Sequence, residues 1–291
     1  MIVVEPLGGL GNQLFVYGLG LAVSRKLGVP LVADLGRIEG DKKRDFELSS
    51  FNNSLANIPS EVPIPRGPAY HVLHRALGLR REPSGQFRDF YYETEPGFDA
   101  RFLEVPDGSR LRGFFQSYRY LESVAGGLRD EIRDIREPSD WFKEQTNRLA
   151  SMGSWVAVHV RLGDYKELPG MRIAERYYER ALGLLASLGA SERIVVFSDE
   201  IELARSMVAW RPFKGVVFMD GEPRAKPIET MLLMALASDH VIANSTFSWW
   251  SAWVGKKDGQ RVICPRPWGN TFYETRDLLP PEWITVGREN S

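Results

Sequence analysis

Apolar and polar positions change period several times along the chain. "IVVE" (2–5) is a β-branched run that reads as a strand, and the turn-rich "PLGGLG" follows it. Within "NQLFVYGLGLAVSRKLG", Leu14, Phe15, Leu19, Ala22 and Val23 recur near helical spacing. "VPLVAD" (29–34) reads as a second short strand, so the opening is a strand–loop–helix–strand unit. From about 36 to 110 the pattern weakens: "IPSEVPIPRGP" (58–68) reads as loop, and 69–79 as a helix. "SRLRGFFQSYRYL" (109–121) reads as a strand and then a turn into a helix. The second half alternates clearly. Apolar runs at 155–160, 193–198, 215–220, 239–244 and 261–265 are separated by predicted helices at 174–188, 200–209, 227–238 and 247–255. Strands alternating with helices predict a parallel sheet covered on both faces, hence an α/β class. A boundary near 140–152, after "REPSD", divides an N-terminal domain (1–145) from a C-terminal one (146–291).

The length of 291 residues fits one large domain or two. Hydrophobic residues make up 43% and charged residues 26%, as in an ordinary soluble globular protein. A formal net charge of −1 leaves no whole-chain basic field to draw nucleic acid. The basic stretches "HRALGLRRE" (74–82) and "DKKRD" (41–45) read as solvated faces, the alternative being a docking surface for an acidic partner or a membrane. Cys264, the single cysteine, excludes a disulfide within the chain and lies in the apolar "RVICPRP", where it reads as core. The N-terminus lacks the basic and small-residue features of a signal peptide. No apolar run reaches the ~18 residues of a membrane span. The expected location is the cytoplasm, with peripheral attachment at the inner membrane face left open.

Candidate chemistry gathers at the ends of the second-half strands. "HVRLGDY" (159–165) places His159, Arg161 and Asp164 just beyond one strand. Ser198 and Asp199 end the next, Asp220 a third, and Asn244 and Ser245 a fourth. Any one of these could simply cap a helix. Their coincidence across strands points to a ligand site, because open α/β sheets bind ligands beyond the carboxyl ends of their strands. In "ANSTFSWWSAW" (243–253), Asn244, Ser245, Thr246 and Ser248 crowd a predicted helix start, which suits an anion such as phosphate. Arg161 would supply a permanently charged, bidentate partner. His159 and Asp220 could read a base edge. Trp249, Trp250 and Trp253 read as core packing.

"GGLGNQ" (8–13) permits close backbone approach to a ligand. As a dinucleotide fingerprint it fails, since Gly9 and Gly11 fit the first two positions but Leu14 occupies the third. No D-x-D pair is present to clamp a divalent metal, His71 and His74 lack further zinc ligands, and no G-x-S-x-G elbow exists.

"GGLGNQLFVYGLGLAVSRKLG", "GFFQSYRYL", "HVRLGDY", "FSDE" and "ANSTFSWWSAW" occur in this order. Together they resemble the family-eleven glycosyltransferases, the α-1,2-fucosyltransferases that use GDP-fucose. The resemblance spans about residues 2 to 268 and is thin over 36 to 100. It implies a GT-B-like fold of two Rossmann-like domains facing across a cleft, with the acceptor on the N-terminal side and the GDP-sugar on the C-terminal domain. It implies inverting transfer of L-fucose from GDP-β-L-fucose to a galactoside hydroxyl, with no metal or other cofactor. The partners implied are the GDP-sugar donor and a galactose-terminated glycan acceptor, free or lipid-linked, in surface glycan or oligosaccharide synthesis. By this resemblance Arg161 binds the diphosphate, His159 contacts the nucleotide and Asp220 reads guanine. Ser245, Thr246 and Phe247 form the phosphate-binding turn, and Asn12, in the glycine loop with Gly9 and Gly11, closes over the donor. Asp164, Ser198, Asp199, Asn244 and Ser248 complete the expected donor-binding set.

Three departures stand out. Leu162 replaces a second arginine found in many relatives, which keeps a different GDP-sugar open as donor. Thr230, beside Glu229, replaces a usual acidic residue, and "KELPGMRIAERYY" is altered in a segment expected near the acceptor. No general base is assigned: Asp34, Glu39, Asp41 and Asp45 lie on the acceptor side, each reading as a surface carboxylate, and proton loss to the diphosphate of the donor itself is the alternative. A catalytically silent sugar-nucleotide-binding protein is the competing reading from another class.

Overall fold

The computed structural model describes residues 1–40, 44–53, 55–58, 81–84, 87–163, 171–222, 225–269 and 277–288. The helix expected at 69–79, His71, His74, Asp41 and Asp164 lie outside the described residues. The chain divides into two α/β units, Met1–Ile132 with Thr275–Leu279, and Arg133–Glu274 with Pro280–Ser291.

Unit 1 is built on a six-stranded sheet. Its strands are β1 (Ile2–Val4), β2 (Leu31–Asp34), β3 (Ala56–Ile58), β4 (Arg81–Ser84), β5 (Phe87–Tyr92) and β6 (Arg110–Arg112), in the order β3-β2-β1-β6-β5-β4. Every pair is parallel except β4 with β5. α1 (Leu10–Leu27) follows β1 and ends at Gly28, whose φ of 66° suits the left-handed cap that glycine adopts without strain. α1 is buried over most of its length, from Gln13 to Ser24, so it has no polar face. Gly18 and Gly20 let it approach its neighbours: a Cβ at either would fall 2.3 Å from Leu121 Cδ2 and 2.6 Å from Val4 Cγ1 respectively. The 3-10 turns at Tyr118–Val124 lead into α2 (Ala125–Arg133).

Unit 2 carries α3 (Asp140–Ser151), β7 (Val156–Val160), α4 (Glu175–Ser187), β8 (Arg193–Ser198), α5 (Ile201–Arg205) and β9 (Gly215–Phe218). It continues with α6 (Pro227–Ala235), β10 (Asp239–Val241), α7 (Thr246–Val254), β11 (Val262–Arg266) and β12 (Ile284–Gly287). The sheet order is β12-β11-β10-β7-β8-β9, all parallel. Alternation along β7 sends Val156, Val158 and Val160 into a core with Tyr177, Ala181 and Leu185 of α4. Trp155 and Ala157 enter a second core with Leu149 of α3 and Leu233 and Met234 of α6. Residues 133–152 thus fall with unit 2. Ser139, the N-cap of α3, is bound through N and Oγ to the Glu229 carboxylate at 2.7 and 3.0 Å. Glu229 also accepts from Lys226 N at 3.2 Å and is fully buried, so it holds α6 against the start of α3. Trp249, Trp250 and Trp253 are buried as core, as is Cys264, whose thiol burial pushes up to about 12.

Candidate functional site

In unit 2 the chain runs from β7 to β8 and β9 on one side, then returns to place β10, β11 and β12 on the other. Numbered from β7 this is the doubly wound order 3-2-1-4-5-6, whose ligand crevice opens where the first and fourth strands diverge. Those two strand ends carry His159–Arg161 and Asn244–Ser245.

His159 lies on the same face of β7 as Trp155 and Ala157, 4% exposed, with its ring 5.8 Å from that of Phe247. Burial, and less so the nearby Arg161, pushes its pKa down to about 3, so the imidazole is neutral at physiological pH. Its buried Nδ1 has no hydrogen-bond partner among the described residues. Leaving such a group unpaired costs about 1–3 kcal/mol, which a hydrogen bond from a ligand would offset.

Arg161 Nη1 lies 3.1 Å from Asp199 Oδ2, each side chain about one-quarter exposed at 24% and 23%. Asp199 does more than pair. Its two oxygens accept from Leu162 N at 2.9 Å and Gly163 N at 3.0 Å. The residue beyond β8 thereby fixes the loop beyond β7 and the arginine on it. Gly163 is required by that contact, since a Cβ there would fall 2.7 Å from Asp199 Oδ2. Ser198, opposite Val160 in the sheet, accepts from Glu200 N at 3.0 Å and turns the chain into α5.

Asn244 donates through Nδ2 to Met171 O at 2.8 Å. Ser245 is the N-cap of α7, its Oγ accepting from Phe247 N at 3.3 Å. The N-terminal amides and dipole of this nine-residue helix favour an anion beside half-buried Thr246 and Phe247. Ser248 turns inward, donating to the carbonyls of Ser245 and Ala243 at 3.3 and 3.4 Å. Asp220 stands apart. It follows the outermost strand, β9, is exposed, and pairs with Arg205 Nη2 at 2.5 Å. The structure thus gathers His159, Arg161, Ser198, Asp199, Asn244, Ser245, Thr246 and Phe247 along neighbouring strand ends, with Ser248 behind them and Asp220 at the outer edge.

Unit 1 has its own polar strand edge. Gly9 is the N-cap of α1, and Gly8 takes a φ of 70° beside Asn12, whose Nδ2 would lie 2.6 Å from a Cβ at Gly8. Asn12 Oδ1 accepts from Gln116 Nε2 at 3.0 Å. Gly11 is buried within the first turn of α1. Gln13, absent from the expected site, clamps this loop. Its Nε2 donates to Gly8 O and Asp45 O, each at 2.8 Å, and its Oε1 accepts from Glu47 N at 2.9 Å. Two of those partners lie more than 30 residues along the chain, so no local pattern announces them. Asp34 is buried, not a surface carboxylate: it pairs with Arg110, which also reaches Glu5 at 3.3 Å. Arg112 Nε and Nη2 bind the fully buried Glu5 at 2.6 and 2.9 Å. Asp45 and Glu39 are exposed.

Among the described residues no group of three His, Cys, Asp or Glu side chains could hold a metal ion. No helix among them is long and apolar enough to cross a membrane.

The family model described as Glycosyl transferase family 11 matches residues 1–287. The O-antigen biosynthesis glycosyltransferase WbnK of Escherichia coli is 28% identical over 313 residues, covering 96% of this chain and 98% of the relative. The alpha-1,2-colitosyltransferase of Escherichia coli is 29% identical over 300 residues, covering 98% and 99%. Among solved structures, the fucosyltransferase NodZ from Bradyrhizobium has a TM-score of 0.51 at 13% identity, covering 86% of this chain and 92% of that one. That likeness is one of fold: two Rossmann-like α/β units of the GT-B type.

Proposed function

The chain belongs to glycosyl transferase family 11, and from that premise we propose that it moves L-fucose from GDP-β-L-fucose to a hydroxyl of a galactose-terminated glycan, forming an α-1,2 linkage with inversion. Unit 2 carries the donor and unit 1 the acceptor. The observation that carries this reading is the neutral His159, with its buried Nδ1 unpartnered among the described residues, and the anchored Arg161 at the end of β7, beside the N-terminus of α7 at the end of β10.

Sugar transfer from a nucleotide diphosphate builds negative charge on the leaving phosphates while the sugar carbon becomes oxocarbenium-like. Arg161, held in place by Asp199, and the amides at Ser245–Phe247 are donors fixed before the charge develops, so they need no reorganisation as it appears. They supply the stabilisation that a metal provides in other transferases. His159 Nδ1, as a neutral acceptor or donor, suits a ribose hydroxyl or base atom. Asn12 belongs to the proposed catalytic set, and Asp220 would reach guanine only by leaving Arg205.

The test follows GDP release with GDP-fucose, GDP-mannose and UDP-galactose, in EDTA, over a panel of galactosides. Fucose-dependent release that rises with one galactoside supports the reading. Arg161→Ala should lower turnover about a hundred- to a thousandfold, the cost of removing one anion-stabilising donor. Near-normal turnover in a folded Arg161→Ala protein would sink the assignment. A second reading keeps the site and changes the donor sugar. It is favoured by the full-length match to a colitosyltransferase and by Leu162, and release from a different GDP-sugar in the same assay would select it.

A further inference from the structure

One bond of the unit 2 sheet is replaced where the chain leaves β10 for α7. In the parallel pairing of β10 with β11, His240 lies opposite Val262 and Val241 opposite Ile263. His240 N donates to Arg261 O and Ile242 N to Ile263 O, each at 2.9 Å. The same register makes the amide of residue 265 the donor to Ile242 O. Residue 265 is proline, which has no N–H. Ile242 is buried, and a buried carbonyl is not normally left without a donor.

Tyr177 supplies one. It stands in the first turn of α4, fully buried, with its hydroxyl 2.7 Å from Ile242 O and 3.2 Å from Ile263 O. A hydroxyl has one proton to give. Ile263 O already accepts from Ile242 N, so the proton goes to the nearer Ile242 O. The ring belongs to the core with Val160, Val241 and Ile263, a place that phenylalanine would fill as well. Only the bond to Ile242 needs the oxygen.

That bond lies where the chain parts from β11. β11 continues beside β12, with Pro265 opposite Val286 and Arg266 opposite Gly287. The chain from β10 turns away through Ala243 and Asn244 to Ser245, the N-cap of α7. Side chains of α7 and the lead-in to α4 hold this turn. Asn244 Nδ2 donates to Met171 O at 2.8 Å, and Ser248 Oγ donates to Ala243 O at 3.4 Å and Ser245 O at 3.3 Å. Tyr177 adds the hold just ahead of them. All of these residues belong to unit 2.

We propose that Tyr177 is a positioning residue for donor binding. Its hydroxyl stands in for the amide that Pro265 lacks, and so sets the Ala243–Ser245 turn and the N-terminal amides of α7 where they receive the diphosphate. This role rests on the GDP-sugar reading above. Without the hydroxyl, the Ile242 carbonyl must shift to find another partner, and the turn shifts with it. GDP then has to restore the turn as it binds.

The test is Tyr177→Phe, which removes one oxygen and keeps the ring, read by calorimetric titration with GDP. The expected result is binding weakened about fivefold to thirtyfold, the scale of one unmade buried hydrogen bond expressed as an affinity. Pro265→Ala supplies the rescue, because it returns an N–H facing Ile242 O. Tyr177→Phe with Pro265→Ala should bind GDP within about threefold of wild type, as expected of two residues that serve the same carbonyl. A purely structural tyrosine predicts a lower thermal midpoint for Tyr177→Phe with GDP affinity unchanged, and that result overturns the assignment. Weakened binding that Pro265→Ala does not restore also overturns it. If Tyr177→Phe does not fold, the double variant carries the test: a folded double variant with near wild-type GDP affinity supports the role, and failure of both to fold overturns it. Wild-type protein that binds no GDP refutes the GDP-sugar reading and this role with it. Equal binding by wild type and Tyr177→Phe refutes the role alone.

Discussion

Replacing Asp199 by alanine removes three contacts at once from the loop that follows β7. The amides of Leu162 and Gly163 lose their acceptor, and Arg161 loses its anchor. Hydrogen bonds to a charged group contribute about 1.5–3 kcal/mol each when well buried. The Asp199 side chain is 23% exposed and water can replace part of this, so the combined cost belongs near the lower figure for one such bond. At about 2–4 °C per kcal/mol for a domain of this size, the thermal midpoint should fall by several degrees. The effect on GDP binding is the informative one. Arg161 uses Nη1 toward Asp199, and a guanidinium has five N–H donors, so carboxylate and phosphate need not compete. Without the anchor, GDP must order the arginine itself, at about 0.5–1.5 kcal/mol. It must also order two loop residues, at about 1 kcal/mol or more each. Removing one anion near the phosphates returns about 1 kcal/mol. The net is about 1.5–3 kcal/mol, roughly a tenfold to hundredfold weaker Kd, read by calorimetry. GDP binding as tight as wild type, or tighter, would show that Asp199 restrains Arg161 instead of presenting it.

Two further substitutions separate site from scaffold. His159 is held near 3, below its unfolded value of 6.5, so it contributes stability above about pH 6.5 that is lost as pH falls toward 3. At pH 5 this amounts to about 2 kcal/mol. His159→Phe should lose less stability than wild type between pH 7 and 5 by chemical denaturation, with buried His240, pushed to about 4, supplying the remaining dependence. An unchanged pH dependence would contradict this. Gln13→Leu leaves Gly8 O, Asp45 O and Glu47 N without their partner, and should cost about 2–4 kcal/mol, read as a lower urea midpoint. A change within error would mean that water replaces the clamp.

What the sequence made legible follows from what is local. The polar residues ending β7, β8 and β10 were visible because each directly follows an apolar run, and the sheet order then brings the ends of β7 and β10 to one crevice. The tryptophans of α7 and Cys264 read as core for the same reason. Roles set by partners distant in sequence were not visible. The second task of Asp199 is one of these: it accepts from amides 36 and 37 residues back, in the loop that holds Arg161. Asp34 looked like a surface carboxylate until β6 came alongside β1 and set Arg110 against it. Glu93 sits in a stretch with little periodicity, and the Phe114 and Phe115 amides that donate to its carboxylate lie 21 and 22 residues on, where Phe115 takes a left-handed φ of 50° that no pattern announces. Ser248 shares the helix start with its neighbours, but the helical turn rotates its hydroxyl toward the Ala243 carbonyl.

The most direct measurement is calorimetric titration of GDP, in EDTA, into the wild-type protein and into Arg161→Ala. The account predicts saturable one-to-one binding by wild type, much weaker binding of UDP, and loss of GDP affinity in the folded variant. Absence of GDP binding by wild type, or equal affinity in Arg161→Ala, would contradict a GDP-sugar site at the ends of β7 and β10.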